Sequence, residues 1–273
     1  MNLSFSTLAC PDSDIDGLIA KAKAYGYNAL DLSRYRGESQ FYKFPEFSTE
    51  INLTNEKIKK AGLGVSCLCS PIRLMTDSSD QRAEDQIELR KYCWMCKRLH
   101  TNYVRIFGGR IKDRSREAAT HIALSHLSKL LSIAEEYQVV LLLETHGDWS
   151  GGTQIRSVME QMDSPYFKLI WDVHHTYRIA GESPEQTWAL LGEWIVHTHW
   201  KDSTLDDSEI GYRFCLPGEG DIPLKSIYRL LKQNRYSGYY TIEWEKFWHP
   251  EIDEGDVALR QYADYIHHLE RIC

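Results

Sequence analysis

The sequence lacks any apolar run of 18 residues, and this absence argues against a helix that spans a membrane. Its first residues, MNLSFSTLACPDSD, have neither the charged lead nor the apolar segment of a secretory signal, so we expect a cytoplasmic protein. Basic residues are outnumbered, 32 against 39 acidic ones, which gives a net charge of −7. Because an acidic chain repels phosphate, we expect neither a nucleic-acid partner nor a membrane partner.

The cysteines are too few and too irregular for a disulfide framework or a zinc cluster. There are seven, an odd number, in a chain of 273 residues. Cys93 and Cys96 form a C-x-x-C, but the other close pair, Cys67 and Cys69, is one residue too tightly spaced for structural zinc. We therefore expect reduced thiols in the core of a globular protein, which the 12% aromatic content also favours over a disordered chain.

What the sequence does contain is a series of short apolar runs, rich in β-forming residues and separated by amphipathic segments. Runs such as Val139–Leu143 are apolar without a break, which is typical of parallel strands buried on both faces. The eight candidate strands are Leu3–Leu8, Ala29–Ser33, Val65–Ser70, Tyr103–Gly108, Val139–Thr145, Lys168–His174, Trp194–Lys201 and Tyr239–Glu245.

Eight alternations of strand and helix predict an α/β protein with the (β/α)₈ TIM-barrel fold, as one domain over residues 1–273. A doubly wound open sheet is the alternative. It usually carries a glycine-rich phosphate loop after its first strand, and here that position holds Ala9-Cys10-Pro11-Asp12. The absence of this loop favours the barrel.

In a barrel, catalytic residues lie at the carboxyl ends of the strands. Four successive strands, the fifth to the eighth, end in a potential metal ligand: Glu144, Asp172, His199 and Glu243. One such carboxylate alone could equally be paired with a neighbouring lysine or arginine. Three carboxylates and an imidazole that converge would repel one another without a cation. Together they predict one divalent ion, Mn²⁺, Mg²⁺, Co²⁺ or Zn²⁺.

Further polar residues lie near the same strand ends. His146 follows Glu144 by two positions and is a candidate for substrate contact, with a surface position as the alternative. Lys201 is a second candidate for reaching substrate, although it could instead pair with Asp202. Arg105 and Arg110 flank the end of the fourth strand and could bind a phosphate or a carboxylate, but a solvated or ion-paired arginine is the more ordinary interpretation.

Several segments resemble the xylose isomerase-like superfamily of sugar isomerases and epimerases. They are Leu143–His146 (LETH), Trp171–His175 (WDVHH), His197–Asp202 (HTHWKD), Pro217–Gly220 (PGEG), Ile242-Glu243 and, near the start, Ala24–Ser33 (AYGYNALDLS). The resemblance implies that Glu144, Asp172, His199 and Glu243 are metal ligands. It also implies that His175 binds substrate, and that Glu144 and Glu243 form the acid/base pair.

The function that this resemblance implies is proton transfer through a metal-stabilised enediolate of a sugar, a keto-sugar or a sugar phosphate. Returning the proton on the opposite face gives epimerisation, and returning it on the next carbon gives isomerisation. The main prediction is therefore an isomerase or epimerase with a small carbohydrate substrate. The resemblance also implies that the chain can assemble with copies of itself.

Three alternatives remain open. A dehydratase of a keto-cyclitol or related hydroxy-ketone would use the same metal site and then lose a hydroxyl group. An abasic-site endonuclease is remote, because the third and fourth strand ends carry no histidine for a three-zinc cluster. A non-catalytic sugar-binding protein would have no need of the intact donor set. The epimerases carry an arginine six residues after the metal histidine, where this chain has Leu205, so its substrate contacts differ.

Overall fold

A computed structural model describes residues 1–273 and has eight parallel strands that close into a barrel. These strands are β1 (Asn2–Ser6), β2 (Ala29–Leu32), β3 (Gly64–Arg73), β4 (Tyr103–Phe107), β5 (Val140–Glu144), β6 (Phe167–Asp172), β7 (Ile195–Trp200) and β10 (Tyr239–Ile242). Each strand pairs with its neighbours in chain order, and β1 pairs with β10 to close the sheet. The predicted TIM barrel is confirmed.

Helices surround the barrel and return the chain from one strand to the next. They are α1 (Ile15–Tyr25), α2 (Ile51–Lys60), α3 (Ser79–Leu99), α4 (Arg116–Tyr137), α5 (Gly152–Gln161), α6 (Val173–Arg178), α7 (Pro184–Leu191), α8 (Leu224–Gln233) and α9 (Gly255–Ile272). Local sequence sets their starts: Asp14 accepts a hydrogen bond from the N–H of Gly17, and Ser183 forms a capping box with Gln186. No helix is long and apolar enough to cross a membrane.

The strands have two buried faces, which explains their near-continuous apolar sequences. Most of the core lies between the sheet and the helices, where 66 buried residues form one cluster. A small separate cluster consists of Cys67, Cys69, Leu142 and Ile170. Because side chains alternate along a strand, the residues two positions after Leu142 and Ile170, Glu144 and Asp172, point to the same side. The apolar strands therefore place a layer of polar side chains at one end of the barrel.

The segment after β7 contains a feature that the sequence pattern did not indicate. It forms an antiparallel hairpin of β8 (Asp202–Leu205) and β9 (Tyr212–Cys215). The buried Asp202 carboxylate accepts hydrogen bonds from the N–H groups of Gly218, at 2.8 Å, and Gly220, at 3.2 Å. A Cβ atom at Gly220 would lie 2.1 Å from the Asp202 carboxylate, so only glycine fits there. Asp202 therefore fixes the loop through backbone hydrogen bonds.

Candidate active site

The four predicted metal ligands meet at the carboxyl end of the barrel, which we call the barrel mouth. One ligand atom from each of Glu144, Asp172, His199 and Glu243 lies within 4.8 Å of the others, and all four side chains are buried. Strand register contributes to this meeting, because Asp172 and His199 are register partners across β6 and β7. We call these residues the four-donor cluster.

His199 Nδ1 is the point on which the glutamates converge. It lies 3.1 Å from Oε1 of Glu144 and 3.4 Å from Oε1 of Glu243. Burial disfavours the charged imidazole, but Glu243 and Glu144 outweigh this effect and raise the pKa of His199 well above its ordinary value. The cluster therefore attracts positive charge, whether a proton on His199 or a cation in its place.

The donor chemistry fits a divalent metal ion. Oxygen and nitrogen ligands bind such ions at roughly 2.0–2.2 Å, which places ligand atoms about 3–4 Å apart. The atoms of the four-donor cluster already lie in this range or close to it. Three carboxylates with one imidazole suit Mn²⁺, Mg²⁺, Co²⁺ or Zn²⁺, and the donor set alone does not select among them.

Asp31 on β2 lies on the other side of His199. Its Oδ2 atom lies 3.8 Å from His199 Nε2 and 3.2 Å from His197 Nε2. Burial opposes ionisation, but the two histidines outweigh it and keep the pKa of Asp31 below its ordinary value. A carboxylate behind a ligand histidine fixes the ring orientation and leaves the opposite nitrogen free for a metal. The only available signal for Asp31 was a charged residue inside the apolar run Ala29–Ser33, and sequence reasoning missed it.

Lys201 lies at the centre of an ion-pair network. Its side chain is buried, and its ammonium group contacts Asp172 at 2.7 Å, Glu245 at 2.9 Å and Glu243. Burial opposes the charge, but Asp172 and Glu243 raise the pKa of Lys201 well above its ordinary value. The lysine therefore stabilises the carboxylates around it, and its predicted contact with substrate stays a prediction.

The two other predicted substrate-binding residues lie side by side. The rings of His146 and His175 are 4.1 Å apart between centroids, and His175 Nε2 lies 3.8 Å from Oδ2 of Asp172. Asp172 ends β6 and caps α6, so its Oδ1 accepts hydrogen bonds from the N–H groups of His174 and His175. This cap places His175 beside the four-donor cluster. Burial lowers the pKa of both His146 and His175, which keeps them neutral.

Other residues singled out in the sequence have structural surroundings. His174, expected to be structural, contacts the Ser203 hydroxyl at 2.9 Å and packs against the aromatic residues of the hairpin. Cys93 and Cys96 are buried, and their thiols are free. Arg105 pairs with Glu144 at 3.0 Å. Burial opposes ionisation of Glu144, but His199 and Arg105 outweigh it and hold its pKa well below the ordinary value.

Comparison with known proteins agrees with this architecture. The sequence profile of the xylose isomerase-like TIM barrel family matches residues 19–266. The chain belongs to this family. The resemblance inferred from the motifs is thereby confirmed, and the family comprises enzymes that act on sugars and related compounds.

Among curated members of the xylose isomerase-like family, an inosose dehydratase from Clostridium tetani (strain Massachusetts / E88) is 28% identical over 136 residues. The match includes 44% of this chain and 45% of that protein, so the chain spans about half the length of the curated relatives it matches. Other inosose dehydratases match over similar lengths, at 25–29% identity.

Solved structures of xylose isomerase-like proteins superpose over nearly the whole chain. The IOLI protein with a bound zinc atom has a TM-score of 0.83 at 17% identity, and each chain is 98% covered. The probable 3-DHS dehydratase AsbF from Bacillus anthracis has a TM-score of 0.81 at 16% identity, with 98% and 99% covered. D-psicose 3-epimerase from Clostridium cellulolyticum H10 has a TM-score of 0.78 at 15% identity, also with 98% and 99% covered. At these identities the likeness shows the fold alone.

Proposed function

We propose that this chain is a divalent-metal-dependent dehydratase of a polyhydroxylated ketone. The observation that carries the proposal is the convergence of the Glu144 and Glu243 carboxylates on His199 Nδ1, within the four-donor cluster. The inosose dehydratases among the relatives support water elimination over the isomerase or epimerase reaction predicted first from sequence.

The residues of the four-donor cluster would hold the ion through the three carboxylates and His199 Nδ1. When bound, a divalent ion would stabilise the negative charge that develops on a substrate ketone oxygen. Asp31 lies behind His199, and Lys201 holds Asp172 and Glu243 in place through ion pairs. These residues organise the site without needing to touch the substrate.

Elimination breaks a C–H bond next to the ketone and a C–O bond on the following carbon. A carboxylate oxygen of Glu144 or Glu243 accepts the proton, and the electron pair released forms the C=C bond. The departing hydroxide needs a proton to leave as water, and the protonated glutamate can supply it. His146 and His175, neutral and adjacent, would bind the substrate hydroxyls by donating or accepting hydrogen bonds.

An isomerase or epimerase is the second candidate. Two glutamates from different strands, β5 and the residue after β10, approach the same imidazole nitrogen. With a carboxylate available at two positions, a proton removed by one could be returned by the other on a different face. The similarity in fold to D-psicose 3-epimerase is compatible with this chemistry.

The test is product analysis after incubation with Mn²⁺, Co²⁺, Mg²⁺ or Zn²⁺. The candidate substrates are an inosose, hydroxylated keto-acids, free ketoses and ketose phosphates. We expect a product lighter than its substrate by one water molecule. A product of unchanged mass that gains one carbon-bound deuterium in D₂O would assign the second candidate instead. If no substrate is converted with any metal, both candidates fail.

A further inference from the structure

The barrel mouth opens into a cavity of about 650 Å³ that has two chemically different sides. The four-donor cluster contributes Glu144 and Glu243 to one side. The other side carries four arginines from β3, β4 and the loops that follow β2 and β4, and we call them the arginine rim. They are Arg34, Arg73, Arg105 and Arg110.

Most of the positive charge on the arginine rim has no acidic partner. Arg105 is paired with Glu144, whereas Arg34, Arg73 and Arg110 have no carboxylate oxygen within 4.0 Å. The chain has a net charge of −7, so acidic partners are plentiful elsewhere on the protein. Three uncompensated guanidinium groups around one cavity therefore need an explanation other than general surface charge.

Aromatic side chains hold these arginines in place. The Arg34 guanidinium lies 4.6 Å from the ring centroids of both Phe247 and Trp248. The Phe107 ring faces Arg105 at 3.6 Å and Arg73 at 5.8 Å. Burial lowers the pKa of Arg34, and the like charges of Arg105 and Arg73 add to this effect against the opposing charge of Glu38. Stacking orients the guanidinium planes of Arg34, Arg73 and Arg105. One nitrogen of Arg34 and one of Arg73 donate to backbone carbonyls, which leaves their other nitrogens for a ligand.

Arg105 provides a second, independent sign of a ligand. Its side chain is only 6% exposed, one of its nitrogens is paired with Glu144, and its Nε atom has no hydrogen-bond partner. Buried donors normally form a hydrogen bond. A buried donor without a partner costs free energy of desolvation, which a bound acceptor would offset. The unpartnered Nε atom belongs to a residue that lines the cavity.

We propose that the substrate carries an oxyanion group, a carboxylate or a phosphate, which the arginine rim binds while the hydroxy-ketone end meets the four-donor cluster. This inference rests on the proposed function, because it assigns the substrate class of that same site. The planar, forked guanidinium matches the geometry of both oxyanions and forms charge-assisted hydrogen bonds with either. A neutral sugar would leave the positive charges of Arg34, Arg73 and Arg110 without an acidic partner.

Isothermal titration calorimetry of the Mn²⁺-loaded protein tests the proposal with three probes of the same carbon skeleton. D-glucitol is neutral, D-gluconate has a carboxylate, and D-glucitol 6-phosphate has a phosphate. We expect at least one of the two anions to bind roughly tenfold or more tightly than D-glucitol, the order that a charge-assisted hydrogen bond contributes. Whichever anion binds more tightly identifies the oxyanion.

The double variant Arg73→Gln with Arg110→Gln separates the arginine rim from the metal, because an anion could also chelate the ion. Both side chains are exposed, so the fold should survive. We expect the preference for the anion to fall to about threefold or less in this variant. Arg229→Gln, an exposed arginine on α8 outside the cavity, is the matched control and should keep the full preference.

The inference is overturned if the three probes bind equally, or if the preference for the anion persists in the double variant. Because calorimetry reports binding without turnover, its result is separate from that of the product analysis. A preserved anion preference with no elimination product would reject the dehydratase and keep the oxyanion site. Elimination of water from a neutral substrate, with no anion preference, would keep the dehydratase and reject the oxyanion site.

Discussion

The two halves of the barrel mouth differ in the sign of their charge and in whether their charged side chains have oppositely charged partners. In the acidic half, formed by β5, β6, β7 and β10, carboxylates and histidines are buried and lie in contact. Lys201 and Arg105 are paired to these carboxylates. In the basic half, formed by β2, β3 and β4, most arginines lie nearer the surface without acidic partners. The first half is therefore organised before a ligand arrives, whereas the second half has unpaired positive charge that a ligand can bind.

Substitution of Glu243 is the most severe test of the acidic half, because we expect it to have the largest effect. We expect Glu243→Gln to lower turnover about 10³-fold or more, because the amide binds a cation weakly and cannot accept a proton. The measurement is the rate of product formation under saturating metal, with the melting temperature recorded alongside. Glu193→Gln, an exposed glutamate before β7, is the control and should retain full activity. Full activity in Glu243→Gln would remove this residue from the mechanism.

Lys201 tests whether the acidic half depends on its internal cation. Lys201→Met leaves Asp172, Glu243 and Glu245 buried or half-buried without their shared ammonium partner. Removing one member of a buried ion pair costs about 3–5 kcal/mol, and we expect a loss of this size in the free energy of unfolding. Urea unfolding followed by circular dichroism measures it.

The matched control for Lys201 is an exposed ion pair. Lys57 contacts Asp16 at 2.7 Å on the surface, and Lys57→Met should leave the unfolding curve almost unchanged. If the two methionine variants unfold alike, the network around Lys201 does not stabilise the fold, and our description of the acidic half is wrong.

Asp31 links the halves, because it extends from β2 to the histidines of β7. Asp31→Asn should weaken metal binding by about 10–100-fold, the usual effect of losing the carboxylate behind a ligand histidine. Competition with a chelating indicator for Zn²⁺ measures the affinity. Ser66→Ala removes a 3.3 Å contact to the same carboxylate without touching His199, and it should change the affinity little. Equal affinities for Asp31→Asn and the wild type would contradict the positioning role.

Phe107 lies at the border between the halves, against Arg73, Arg105 and His146. We expect Phe107→Leu to weaken anion binding only about twofold to fivefold, since a cation–π contact contributes roughly 0.5–1 kcal/mol. Titration with the preferred anionic probe measures this change. Trp94→Leu, which removes a stacking partner of Arg98 on the outside of the barrel, should have no effect. A loss as large as that of the double arginine variant would show that Phe107 does more than orient the rim.

The acidic half could largely be predicted from sequence, and the basic half could not. Glu144, Asp172, His199 and Glu243 each end an apolar run, and parallel strands bring such ends to one edge. The strand boundaries were off by a few residues: the predicted strand Lys168–His174 gives way to a helix directly after Asp172. The Asp172 side chain starts that helix by capping it, and this local hydrogen bonding overrides the β-forming sequence.

Contacts between distant strands were beyond sequence reasoning. Asp31 and His199 meet because the barrel closes with a particular register, and neither local spacing nor periodicity contains that register. Arg34 and Arg73 follow strand ends just as the acidic ligands do, but a lone arginine at a strand end is usually solvated. Only the cavity that they share with Arg105 distinguishes them.

The central claim is that the four-donor cluster holds one divalent ion, and elemental analysis tests it most directly. The protein is produced with added Mn²⁺ and Zn²⁺, separated from free metal, and compared with His199→Gln prepared in the same way. We expect close to one divalent ion per chain in the wild type and a large loss in the variant. A wild-type protein without metal, or equal metal content in the two proteins, would contradict it.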